Sequence, residues 1–207
     1  MLQNRVNPFG DIVKTEARGA WMGNRGVIHN HQQELVKPFK LKAWLICKLE
    51  FKGRKRPVMA PNQYTELFFM DEATAFAAGH RPCCECRRAD YDKFKSLWLK
   101  ANPEYGFNLK TSIQQIDEIL HQERVGAAKE KVTFEASPND LPNGSFIALN
   151  QNAYLIWDGL MYLWSPFGYE KGIMISEGGK VQVLTPKSVV KTFAAGYVPQ
   201  VAVILLS

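Results

Sequence analysis

The residues in this chain whose types and spacing best suit chemistry are its cysteines. Cys83, Cys84 and Cys86 lie within four positions of one another, and Cys47 lies upstream in an apolar segment. A Cys-x-x-Cys pair on a tight turn can present two thiolates to one metal ion, and zinc is commonly held by sulfur ligands of this kind. The spacing of Cys83 and Cys86 therefore predicts half of a structural zinc site.

A complete tetrahedral zinc site needs two further ligands. Cys47 is one candidate, although a lone cysteine in a strand is also commonly a small core residue. His80 is another, because the pattern His-x-x-Cys-x-x-Cys can close a turn around one ion. The alternative is a reduced, metal-free turn with buried thiols. The predicted ligand set is Cys47, His80, Cys83 and Cys86, with Cys84, His29 and His31 as remaining candidates.

Positive charge is concentrated in the first half of the chain. Residues 1–100 hold 18 Lys and Arg against 10 Asp and Glu, whereas residues 101–207 hold 8 against 10. A basic half that also carries the cysteine cluster is typical of a face that binds a polyanion, here nucleic acid and DNA first. The alternative is an ordinary soluble surface rich in lysine. The predicted phosphate-contacting residues are Arg18, Arg25, Arg54, Lys55, Arg56, Arg87 and Arg88.

Two further patterns suit an enzyme that acts on a nucleic acid or nucleotide, such as a hydrolase or transferase. The segment 18–26 combines two arginines with three glycines, and its guanidinium and amide groups could approach an anion. On a predicted helix, Asp117 and His121 lie four residues apart, so the carboxylate could orient the imidazole as a general base. The alternatives are a glycine-rich loop over the core and an ordinary pair on a helix surface.

The elements that would position these residues follow from periodicity and capping. Alternating apolar residues predict a strand over 40–51, which would pair with a strand over 64–69 and bring the basic turn 52–57 near the cysteines. Asp71 is expected to cap a helix that Gly79 ends. Two more helices are predicted over 85–101 and 112–125.

After residue 136 the sequence pattern predicts short strands and turns, with Asp158-Gly159 as a hairpin turn. The sequence therefore predicts an α+β protein with a basic, zinc-stabilised mixed module over 1–136 and a small β-barrel-like unit over 137–207. The N-terminus opens no apolar run, so we expect neither a signal peptide nor a membrane span, and a cytoplasmic location. Four cysteines in such a chain favour metal binding or reactive thiols over disulfides.

The segment 72–87, EATAFAAGHRPCCECR, resembles the second half of the Ada-type metal-binding domain, which carries a sequence of the form EEALAAGFRPCxxC. The resemblance spans roughly residues 64–90. It implies a small α+β zinc module that binds DNA, acts in DNA repair or processing, and uses Cys83 and Cys86 as ligands. The upstream Cys-x-x-x-Cys pair of that family is absent here, because Cys47 is followed four residues later by Phe51. The thiol that accepts an alkyl group therefore has no secure counterpart.

The whole chain is also similar to uncharacterised bacterial proteins that share a GHRPCxxCRR segment. These proteins carry a Leu-Thr-Pro and an Ala-Gly-Tyr pattern near the C-terminus, here residues 184–186 and 195–197. This second resemblance implies no activity.

Overall fold

The structure is a computed structural model that describes residues 1–53, 57–175 and 178–202. Over these residues the chain is a mixed α+β protein with two sheets and four α-helices, which confirms the predicted fold class. None of its described helices has the length and apolar character to cross a membrane. The α-helices are α1 (Glu72–Ala77), α2 (Arg88–Ala101), α3 (Ile113–Gln122) and α4 (Lys187–Ala194).

The strands are short and fall into an N-terminal and a C-terminal sheet. The first sheet has the order β2-β1-β5-β3-β4-β6 and the second has the order β11-β10-β9-β8-β13-β7, with β12 paired to β10. The strands are β1 (Arg5–Val6), β2 (Ile12–Val13), β3 (Trp21–Asn24), β4 (Leu45–Cys47), β5 (Leu67–Phe69), β6 (Arg81–Pro82), β7 (Phe134–Ala136), β8 (Phe146–Leu149), β9 (Asn152–Trp157), β10 (Leu160–Ser165), β11 (Gly168–Tyr169), β12 (Ile173–Met174) and β13 (Val181–Val183).

The strand β3 lies between β4 and β5 and corrects two expectations. Residues 40–51 were expected to pair with 64–69, but β3 is antiparallel to both and separates them. The segment 18–26 was treated as a glycine-rich loop, yet it contributes this inner strand. Gly23 permits the arrangement, because a Cβ there would lie 2.2 Å from the carbonyl oxygen of Leu45. Its glycines therefore serve close strand packing.

The predicted strand over 40–51 is shortened to three residues. Leu41 and Leu49, which were expected on the apolar face, are 50% and 51% exposed. The amides of Lys40 and Leu41 both donate to the carbonyl of Arg25, so the chain turns there before it enters the sheet. The strand that forms is Leu45–Cys47, in which the consecutive residues Ile46 and Cys47 are both buried.

The capping residues predicted the helix starts well. Asp71 caps α1 by accepting from the Thr74 amide at 2.8 Å, and Gly79, with φ at +88°, follows its end. Helix α3 runs over Ile113–Gln122, within the predicted range 112–125, and the Ser112 side chain makes no capping hydrogen bond to it. Helix α2 begins three residues later than predicted, because the cysteine segment first forms a turn in which the Arg87 amide donates to the Cys83 carbonyl at 3.1 Å.

The second sheet does not close on itself over its described strands, so the barrel-like unit is not confirmed. The hairpin between β9 and β10 is as predicted, with positive φ at both Asp158 (47°) and Gly159 (75°). The apolar run 201–206 also predicts a final strand, of which residues 203–206 lie outside the described residues.

The boundary predicted near residue 136 stays a prediction, but apolar contacts cross it. Phe76 and Phe94 share one buried cluster with Phe193 and Tyr197, and the Phe76 and Phe193 rings meet edge to face at 5.2 Å. Helix α4 therefore packs into the core of the N-terminal sheet. Burial of aromatic surface of this kind is a major part of folding free energy.

We expect Asp71→Ala to lower the free energy of unfolding by about 2–4 kcal/mol, because it removes a helix cap and leaves a buried tyrosine hydroxyl unpaired. Besides capping α1, the Asp71 carboxylate accepts from the Tyr169 hydroxyl at 2.7 Å and from the Ala202 amide at 3.0 Å. Urea unfolding followed by circular dichroism measures the change. Asp92→Ala on the exposed side of α2 is the control and should change stability far less; equal effects would contradict the assigned role.

Candidate metal centre

Parallel pairing of β4 with β6 brings the two cysteine segments together. Ile46 lies opposite Pro82 in this pairing, and the Cys83 amide donates to the Ile46 carbonyl at 3.0 Å. Cys47, at the end of β4, therefore lies beside Cys83, which directly follows β6. The turn that follows then folds Cys86 back toward both.

The thiols of Cys47, Cys83 and Cys86 form one buried cluster. Their sulfur atoms all lie within 4.8 Å of one another, and all three cysteines are unpaired by disulfides. The partly buried side chains of Met22, Leu45 and Phe51 pack around them. Three sulfur donors at this spacing could hold a metal ion. The structure thus brings together three of the four ligands predicted from the sequence.

The three thiols titrate as a group, because each interacts with the other two. Hydrogen bonding with Cys47 lowers the pKa of Cys83 to about 5 and also lowers the pKa of Cys86, whereas the same bonds followed by burial raise the pKa of Cys47. Backbone amides add to this, including the Glu85 amide, which lies 3.4 Å from the Cys83 sulfur. The cluster favours the thiolate at Cys83 and Cys86, which is the form that binds metal.

His80 lies outside this cluster. Its ring is fully buried 4.6 Å from the Phe69 ring and 5.1 Å from the Trp44 ring, and its Nε2 faces the Nε of Arg25 at 3.3 Å. Burial, followed by the charges of Arg25 and Arg124, lowers the pKa of His80, so the imidazole is neutral. The structure therefore places His80 in the core.

The other candidate donors are also accounted for. Cys84 is exposed on the turn. The ring of His29 contacts the Thr65 hydroxyl at 2.6 Å, and His31 is exposed. Within the described ranges, the group of metal-ligand atoms contains three protein donors. Three thiolates leave one position of a tetrahedral ion for a water molecule or another donor.

The arginines predicted to contact phosphate divide into buried and exposed residues. Arg25 and Arg87 are buried, and Arg87 pairs with Glu72 at 2.6 Å while its guanidinium lies 4.0 Å from the Trp21 ring. Arg18 and Arg88 are exposed. Arg54, Lys55 and Arg56 lie outside the described residues.

The structure does not bring Asp117 and His121 together as a carboxylate–imidazole pair in its described contacts. Both oxygens of the buried Asp117 carboxylate accept from Arg81, each at 2.7 Å. The Nδ1 of His121 instead faces Arg124 at 3.2 Å, and its ring packs against Phe39. The spacing of four residues was correct for a shared helix face, but the arginine from β6 takes the carboxylate.

Sequence reasoning missed the role of Arg81 and Arg124. Each sits in a segment that was interpreted for another reason, Arg81 within the cysteine motif and Arg124 as a cation at a helix end. Burial of an arginine leaves no mark in the periodicity of the chain. The one signal available was the carboxylate of Asp117, which lies one turn before Leu120 on the apolar side of α3.

We expect Asp117→Asn to lower the free energy of unfolding by about 3–5 kcal/mol, because it leaves the buried Arg81 guanidinium without its charge partner. Urea unfolding measures this loss. Glu118→Gln, at the neighbouring and half-exposed position, is the matched control and should have a much smaller effect. Replacing both Arg81 and Asp117 by Met should recover part of the loss. Equal effects of the two single substitutions would contradict a structural role for Asp117.

Comparison of the chain with protein-family models, with curated proteins and with solved structures found no match. Assignment of a function therefore rests on the geometry of the chain itself.

Proposed function

We propose that this chain is a zinc-binding protein that binds nucleic acid, DNA first, through the basic surface around its metal centre. The observation that supports zinc most directly is the buried cluster of Cys47, Cys83 and Cys86. Thiolate sulfur selects soft or borderline metals, and zinc is the common one of these in structural sites. The Ada-type resemblance of the Cys83 segment supports the same metal.

A zinc ion would join strand β4, the residues after β6 and the turn before α2. Strand β6 has two residues and β4 has three, so the pairing between them rests on few hydrogen bonds. Coordination by Cys47 links β4 to the turn, and coordination by Cys86 fixes the end of that turn before α2. Zinc in such sites contributes directly to folding free energy.

Exposed cations lie close in sequence to the proposed metal ligands, and one of them, Arg88, pairs with Asp92 at 2.9 Å. Lys48 follows the first thiol, Arg88 lies two residues after Cys86, and both are exposed. Lys52 lies 5.1 Å above the ring of Phe51, which itself packs on the cysteines. Three thiolates around one zinc ion carry a net charge of −1, so these cations also balance the centre. Cations gathered on one surface supply the contacts to phosphate on which binding of nucleic acid mainly depends.

The first test is the metal content of the purified chain. We expect about one zinc per chain by elemental analysis, lost in Cys47→Ser and in Cys83→Ser because three thiolates hold the ion. Cys84→Ser is the matched control, since its exposed thiol lies outside the cluster, and it should retain the metal. His80→Gln should also retain zinc. Wild-type protein that is free of zinc when purified without chelator would overturn the zinc proposal.

The second test is the salt dependence of nucleic acid binding. Fluorescence anisotropy with labelled duplex DNA and RNA, over a salt series, gives the number of phosphate contacts. We expect each of Lys48→Gln, Lys52→Gln and Arg88→Gln to weaken binding and reduce the slope by about 0.9, the effect of one lost contact. Lys110→Gln, on an exposed loop, should leave the slope unchanged. An unchanged slope in the triple variant would contradict the proposed surface.

A further inference from the structure

A cleft lined by residues outside the cysteine cluster offers a second candidate site. The cleft has a volume of about 570 Å³ and lies where the end of β3, the end of α3 and the segment after it approach one another. Arg25, Arg124 and Lys131 line it together with Trp44 and Phe39. Neither the metal cluster nor the exposed cations around it contribute to this lining.

Five cationic residues line the cleft, of which Lys37 and Lys129 are exposed. The other three are held by carbonyl groups rather than by carboxylates. Arg25 donates from Nη2 to the Gly10 carbonyl at 2.9 Å. Arg124 donates from Nη1 to the Gly79 carbonyl at 2.6 Å, and the Lys131 ammonium donates to the carbonyl of Ala77. Over the described ranges, none of the three makes an ion pair. Asp11 and Glu130 also line the cleft, outside ion-pair distance of these cations.

Removal of these charged groups from water costs free energy. Burial is the main cause that lowers the pKa of Arg25 and of Arg124 to about 9 and that of Lys131 to about 7. Both arginines also lower the pKa of Lys131, so the three charges are close enough to repel one another. A buried charge without a counter-charge destabilises the fold unless something else compensates it. The Asp11 carboxylate raises the pKa of Arg25 and Lys131, and the Asp117 carboxylate raises that of Arg124, but burial outweighs both. A further anion in the cleft would therefore stabilise these charges.

Arg124 has a donor left over. Its side chain is 2% exposed, and its buried Nε has no hydrogen-bond partner in the described part of the protein. Unpartnered donors at such depth are rare, because each one loses its bond to water. The unpartnered Nε therefore adds to the cost of holding this charged side chain inside the protein.

The walls of the cleft are aromatic as well as cationic. The guanidinium groups of Arg25 and Arg124 lie 3.9 and 4.0 Å from the ring centroid of Trp44, and the Phe39 ring lies 5.7 Å from that indole. Stacking on Trp44 fixes the planes of both guanidinium groups. Phe39 is half-buried and adds apolar surface to the same opening. Apolar walls with a few convergent polar groups are typical of sites for small organic ligands.

We propose that this cleft binds a small organic phosphate monoester, with the phosphate between Arg25, Arg124 and Lys131 and the organic part against Phe39. Three cations match a group that carries close to two negative charges better than they match a single carboxylate. The volume accommodates an ester the size of a nucleoside monophosphate. This site is separate from the nucleic acid surface and does not depend on it.

The test uses the full chain and four probes: adenosine 5′-monophosphate, phenyl phosphate, inorganic phosphate and benzoate. Isothermal titration calorimetry at constant ionic strength should show that both esters bind more tightly than inorganic phosphate, with benzoate weaker than either ester. The two esters distinguish a nucleotide from any other phosphate monoester. Lys131→Met should weaken binding of the tighter ester roughly ten- to a hundredfold, the effect of one charge-assisted hydrogen bond.

Controls separate loss of the site from loss of the fold. Lys131→Met removes an unpaired cation, so its thermal midpoint without ligand should equal or exceed that of the wild type. Lys131→Arg should retain much of the affinity, and Lys110→Met should retain all of it. Substitution of Lys48, Lys52 and Arg88 should leave ester binding unchanged. Absence of binding by all four probes, preference for benzoate, or equal binding by wild type and Lys131→Met would each overturn the proposal.

Discussion

Burial of four arginines is the constraint on which most of this structure depends. Arg81 and Arg87 each have a carboxylate partner, in Asp117 and Glu72, and these partners lie on the helices that pack beside the first sheet. Arg25 and Arg124 have carbonyl groups and the face of Trp44 instead. A charge taken out of water must be compensated locally, so these contacts fix how the helices meet the sheet. Arg81 and Arg87, which have carboxylate partners, therefore support the fold, whereas Arg25 and Arg124, which have none, are candidates for binding a ligand.

The paired arginines flank the cysteine cluster that could hold a metal ion. Arg81 precedes the cysteine turn and Arg87 follows it, so an ion pair anchors the chain on each side of Cys83–Cys86. The Glu72 carboxylate that holds Arg87 also accepts from the Tyr197 hydroxyl at 2.9 Å, which ties the turn to the C-terminal part of the chain. The thiols therefore approach one another in a frame that side-chain ion pairs have already fixed. An ion added to such a frame needs little rearrangement of its ligands.

Short sequence patterns correctly predicted the features that depend on neighbouring residues, namely helix ends, a hairpin turn and a turn that carries two thiols. Asp71 and Gly79 bounded a helix, Asp158-Gly159 made a hairpin, and the spacing of Cys83 and Cys86 placed two thiols on one turn. Cys47 was a candidate third ligand, and the structure brings its thiol beside the other two. The pairing order of the first sheet could not be predicted in this way, because it depends on β3, a strand whose glycines suit a loop equally well. The burial of His80, Arg25 and Arg87 was also not predicted. Whether a polar side chain is buried depends on partners far away in sequence, as Arg81 shows with Asp117.

The two proposed sites share one strand and its partner. Trp44 lies directly before β4 and supports the arginines of the cleft, whereas Cys47 ends β4 and belongs to the metal cluster. Strand β6 holds both ends, through the Arg81 amide on the Trp44 carbonyl at 3.0 Å and the Cys83 amide on the Ile46 carbonyl at 3.0 Å. Loss of this short pairing would therefore displace the thiols and the indole together. The short pairing of β4 with β6 therefore supports both the cysteine cluster and the side chains that line the cleft.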